Sequence, residues 1–133
     1  MPIELKYLVW SVALFFVMIL AQAVAATFSG KASVTELVGP RDNLPGAGLT
    51  PLHGRAKRAQ ANMTEGMMMF VPLVLVAAVT NSFSDLTALG AALFFWGRVA
   101  FAPSYWFGIP WVRTLVWFVS IIGILMILWE LLF

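Results

Sequence analysis

Four stretches of this chain are apolar on nearly every helical face, and short polar or turn-forming segments divide them. The first, about residues 5–27, carries YLVWSVALFFVMILAQAVAA, enough for a helix to cross a bilayer. The one strongly polar side chain of that run, Gln22, is expected to hydrogen-bond another helix. Tyr7 to Gly30 is free of charge over 24 residues, longer than the apolar part of a signal peptide, so a retained span is expected. The second stretch, about 55–81, begins polar and turns wholly apolar at MMMFVPLVLVAAV, where Pro72 removes a backbone donor and is expected to kink it. The third, about 85–103, has Ser84 and Asp85 as alternative caps. The fourth runs over about 111–132. Residues 28–54 are broken by eight glycines and prolines, from Gly30 to Gly54, and are expected to form a long loop without regular structure, with His53 a loop histidine. The predicted fold is all-α: a single domain forming a four-helix membrane bundle.

Composition narrows the chemistry. Of 133 residues, 62% are hydrophobic and only 11% charged, which a water-soluble domain of this size does not show. The chain has no cysteine, so it offers no thiol nucleophile, disulfide or thiolate metal site, and any thiol must arrive with a substrate. With one histidine, no metal site is expected. Four spans place the 28–54 loop and the 103–111 turn on one side of the membrane. Lys31, Arg41, Arg55, Lys57, Arg58, Arg98 and Arg113 fall on that side and Lys6 alone on the other. This asymmetry predicts a cytoplasmic loop and both termini outside. The net charge is only +2 and the basic residues hug the membrane, so membrane lipid is an expected partner and nucleic acid is not.

The polar start of the second helix holds the densest chemistry. Arg55, Arg58, Asn62 and Glu65 recur at steps of three, four and three, which stacks them on one helical face. The rise from Arg58 to Glu65 is roughly 10 Å, enough to carry the face into the bilayer. A carboxylate and an amide at that depth call for protein or a wet cavity around them. The bland alternative is a helix end whose arginines snorkel to lipid headgroups while Glu65 pairs with Arg58. On the third helix, Arg98 and Tyr105 share a face if the helix continues past Pro103. Arg113 stands in the first turn of the fourth helix, where a cation opposes the helix dipole, which suggests service to an anion. Four arginines with one carboxylate among them would make a net positive cavity suited to a ligand bearing carboxylates.

The run RAQANMTE, Arg58 to Glu65, reads R-A-x-x-N-x-x-E and resembles the second-helix signature of the MAPEG family, the membrane-associated proteins in eicosanoid and glutathione metabolism. Arg55 fits the earlier arginine of the longer signature, the spacing of Arg98 to Tyr105 resembles the third helix of the family, and Arg113 in GIPWVRTLVW looks like its catalytic arginine. Gly66 stands where leukotriene-synthase-like members have tyrosine, and Phe101 where better-known members have histidine or tyrosine. The GIPWVRT form is most similar to a bacterial branch of the family, and that resemblance implies a bacterial inner membrane as the location. The resemblance implies a homotrimer with glutathione as co-substrate between protomers. It implies that Arg55, Arg58, Asn62, Glu65, Arg98 and Tyr105 bind glutathione and that Arg113 stabilises the thiolate. The expected activity is transfer of glutathione to a lipophilic electrophile, or reduction of a lipophilic hydroperoxide. The rival expectation is a non-enzymatic scaffold, a homo-oligomer whose arginines bind anionic lipid headgroups.

Overall fold

The structure, a computed structural model, describes residues 1–30, 33–40 and 48–133. Lys31 and Arg41, counted above toward the cytoplasmic side, lie outside the described residues. The described chain is all helical, without a strand: α1 (Ile3–Thr27), α2 (Val34–Val38), α3 (Pro51–Val79), α4 (Asp85–Trp106) and α5 (Pro110–Leu132). Helices α1, α3, α4 and α5 are each long and apolar enough to cross a membrane.

Two features depart from the expectations drawn from sequence. The loop contains the short helix α2, closed by a capping box in which the Ser33 hydroxyl accepts from the Glu36 N–H and the Glu36 carboxylate accepts from the Ser33 N–H. Ser-x-x-Glu is the signature of that box, and the surrounding glycines masked it. His53 is a helical residue, not a loop residue. Thr50 caps α3 by accepting from the His53 N–H at 3.0 Å, and Pro51 occupies the first helical position, where its missing N–H costs nothing. The imidazole is buried between α1 and the incoming loop. Its Nδ1 accepts from the Leu49 N–H at 2.9 Å, so its Nε2 carries the proton and donates to Gln22 Oε1 at 3.1 Å. Gln22 therefore makes an interhelical hydrogen bond.

Two helix ends were left open by the sequence. Ser84, not Asp85, caps α4, with Thr87 completing a capping box. Helix α4 also runs through Pro103 to Trp106, which keeps Arg98 and Tyr105 on one continuous helix.

The core follows the α3 stripe Ala56, Ala59, Met63, Met67, Phe70, Val74 and Ala77, all buried at helical spacing. It meets Phe94, Phe101 and Ala102 of α4 and Ile124 and Ile127 of α5, with Phe70 and Phe94 stacked at 4.0 Å between ring centroids. Helices α4 and α5 touch backbone to backbone. A Cβ at Gly90 would come within 2.6 Å of the Gly123 carbonyl oxygen, and one at Gly97 within 3.0 Å of the Ser120 nitrogen. Small residues at such contacts are how helices without a solvent-driven hydrophobic force come together in lipid. At the opposite end from the long loop, the buried Glu4 accepts from the Thr87 hydroxyl at 2.9 Å and ties the start of α1 to the start of α4.

Candidate functional site

Near the loop end of the bundle, α3, α4 and α5 line a cavity of about 230 Å³ with Asn62, Phe101, Tyr105, Arg113, Thr114 and Trp117. Each helix contributes by its own periodicity. Asn62 stands at the edge of the buried α3 stripe, Phe101 and Tyr105 lie one turn apart on α4, and Arg113 and Trp117 lie one turn apart on α5. The Arg113 guanidinium rests over the Tyr105 ring, 4.8 Å from its centroid. That stacking holds a cation at the cavity wall by attraction to the ring face. The Thr114 hydroxyl donates to the Pro110 carbonyl at 3.0 Å, which spends its proton within the helix.

The seven residues picked out by spacing divide into four groups. Asn62, Tyr105 and Arg113 meet at the cavity. Arg98 lies behind it with 1% of its surface exposed, between Phe94 and Phe101, whose ring centroids are 5.5 and 5.1 Å from its guanidinium carbon. It donates a hydrogen bond through Nη1 to Asn62 Oδ1, and the Glu65 carboxylate acts on it electrostatically. Arg55 is half-buried against the turn between α4 and α5. A Cβ on Gly108 there would lie 3.1 Å from the Arg55 guanidinium carbon, and Gly108 has φ +68°, a conformation glycine adopts without strain. Arg58 and Glu65 are exposed on the chain, on the α3 face opposite its core stripe, together with Met68, Met69, Leu75, Val76 and Val79.

Depth makes that exposed face unusual. The rise from Glu65 to Val79, at the far end of α3, is about 21 Å, shorter than the roughly 30 Å hydrocarbon thickness. Counted from the same end, Arg58 stands about 31 Å away, at the opposite boundary. With Val79 at one boundary, Glu65 falls inside the hydrocarbon layer, where an uncovered carboxylate is costly.

The cavity lining also includes residues that sequence spacing did not select as site residues. Phe101 stands between Arg98 and Tyr105, and Thr114 and Trp117 follow Arg113 at steps of one and four. Helical spacing from Arg113 would have found Trp117, but an aromatic in an apolar span carries no distinguishing signal.

The sequence model of the MAPEG family matches residues 7–133, essentially the whole chain. The chain belongs to the MAPEG family. Neither the curated proteins nor the solved structures contain a match to it. MAPEG membership and four spanning helices make it an integral membrane protein. Members of the MAPEG family are generally associated with glutathione.

Proposed function

We propose that this MAPEG protein binds glutathione in the cavity and uses its thiolate to attack a lipophilic electrophile or hydroperoxide. The observation that carries the reading is the convergence of Asn62, Tyr105 and Arg113 from three helices, with the Arg113 cation stacked on Tyr105. A free thiol, with a pKa of about 8.5, is mostly protonated at neutral pH, and only its thiolate is a good nucleophile. A guanidinium at the wall of a partly dry cavity lowers that pKa by about one or two units, each worth roughly 1.4 kcal/mol. Conjugation forms a sulfur–carbon bond, sends the displaced electron pair to the leaving group or the neighbouring unsaturated carbon, and passes the thiol proton to solvent. Peroxide reduction consumes two glutathione molecules and gives the alcohol, water and the disulfide. In this reading Arg113 acts on the sulfur. Asn62 and Tyr105 hold the peptide, and Arg58 and Glu65 take its charged ends.

Arg58 and Glu65 complete the site only if something covers them. A zwitterionic peptide has an ammonium for Glu65, for which an anionic headgroup has no use, and this favours glutathione over the lipid-binding scaffold. The cost of exposing Glu65 to lipid favours cover by a second copy of the chain, and we assign the protein as a homotrimer with the exposed α3 face at the protomer boundary. Crosslinking in native membranes should give a product of three chains that persists in mild detergent. A species that stays monomeric in both would contradict the assembly.

The basic asymmetry orients the protein with the loop in the cytoplasm. A cysteine at Ser33, the exposed cap of α2, should react with an impermeant reagent only after the inner membrane is opened. A cysteine at Met1 should react in intact spheroplasts, and the reverse pattern would overturn the orientation. The function itself is tested by equilibrium binding of glutathione to the purified protein: saturable binding supports the reading, and no binding at millimolar concentration returns the site to the lipid-scaffold alternative.

A further inference from the structure

Gly66 is one turn beyond Asn62 on α3 and is buried against the Arg98 side chain. A Cβ at this position would lie 2.7 Å from Arg98 Nη2, 3.2 Å from its guanidinium carbon and 3.3 Å from a Phe94 ring carbon. The first of these is closer than side-chain carbons approach their neighbours, so the guanidinium occupies the space that any other residue would fill. From that seat Arg98 donates to the Asn62 side-chain oxygen. Arginine carries only donors, so the Asn62 amide has one available orientation: oxygen toward Arg98 and NH₂ away from it. Asn62 lines the cavity, and what it has left to offer there is a donor.

We propose that Gly66 and Arg98 are positioning residues that fix Asn62 as a hydrogen-bond donor to the cavity. The cavity then presents the Asn62 NH₂ beside the Arg113 guanidinium stacked on Tyr105, a set that selects a ligand offering carboxylate or carbonyl oxygens at the Asn62 wall. Arg98 acts through Asn62 and does not itself reach the ligand, since it is almost wholly enclosed by Phe94, Phe101 and the α3 backbone. The same contact explains why glycine stands at position 66: a larger residue and the inward Arg98 exclude each other. The inference rests on the proposed glutathione site only for the identity of the ligand.

The guanidinium is the flexible end of its side chain, so Gly66→Ala should displace it without unfolding α3, and alanine is the better helix former. The chain has three asparagines, so selective ¹⁵N labelling gives a simple spectrum in which Asn62→Asp identifies the Asn62 side-chain signal. That signal should move in Gly66→Ala and in Arg98→Met. Adding Gly66→Ala to Arg98→Met should move it no further, because residues acting as one unit are not additive. Glutathione affinity should follow the same pattern, about tenfold weaker in each single variant and no weaker in the double. An Asn62 signal unchanged by Gly66→Ala, or shifted as much by it in the Arg98→Met background, would overturn the proposal. A signal pattern as predicted in a protein that binds no glutathione would sink the ligand reading and leave the Gly66–Arg98–Asn62 linkage standing.

Discussion

Replacing Arg113 with leucine should leave glutathione bound but stop it from ionising. The peptide's charged ends are assigned to Arg58 and Glu65, and its backbone to Asn62 and Tyr105, so affinity should stay within a few-fold of wild type. The thiol, however, loses the one cation that lines the cavity among the described residues. The sign of the pH dependence follows from the direction of the effect. A thiol pKa depressed by Arg113 puts thiolate in the wild-type complex from below neutrality upward, and the stabilisation is lost as the pH falls through the lowered value. In Arg113→Leu the transition should return to about 8.5, the free-thiol range. At neutral pH the ionised fraction of bound thiol should then fall from about a quarter or more to a few per cent. Conjugation and peroxide reduction should fall at least in proportion. Ultraviolet thiolate absorbance and binding, measured on the same samples, separate this outcome from simple loss of the ligand. Retained thiolate in Arg113→Leu would keep the binding site and remove the role given to Arg113.

Loss of either charged end-holder should have the opposite signature. Arg58 and Glu65 are seven residues, or about two helical turns, apart on the exposed α3 face, a rise of roughly 10 Å that brackets a small peptide. Their contacts are charge-assisted and, in the proposed trimer, shielded from water. Removing one such contact should weaken glutathione binding about ten- to a hundredfold. Arg58→Ala and Glu65→Ala should show this loss by calorimetry, while the thiol that still binds at saturating peptide ionises as in wild type. Glu65→Gln sharpens the test, since it keeps the shape and removes the attraction for an ammonium. If Glu65→Gln binds glutathione as wild type does, the carboxylate does not hold the peptide's amino group.

The bilayer made much of this architecture readable from the sequence. Apolar stretches long enough to cross a bilayer have few other uses, and four of them define the four spans. The polar face of α3 was legible for the same reason, since Asn62 and Glu65 stand out against an apolar background that charge patterning alone would not give in a soluble protein. The unread features were local or three-dimensional. The capping box of α2 is hidden among glycines, and the sequence around His53 reads as loop because the cap at Thr50 precedes a proline that can either start a helix or extend a turn. Spacing put Arg98 on the same face as Tyr105 but could not show that a missing side chain at Gly66 lets it turn inward toward Asn62. Nor could it show Arg55 lying against the turn at Gly108, since the contact joins residues 53 apart in sequence.

The most direct test of the central claim is a difference ultraviolet spectrum of the purified wild-type protein titrated with glutathione across pH. Saturable binding with a thiolate band whose midpoint lies one to two units below the free-thiol value of about 8.5 is the result this account predicts. Saturable binding with the thiol still titrating near 8.5 would contradict the chemistry assigned to the cavity, and no binding at millimolar glutathione would contradict the site itself.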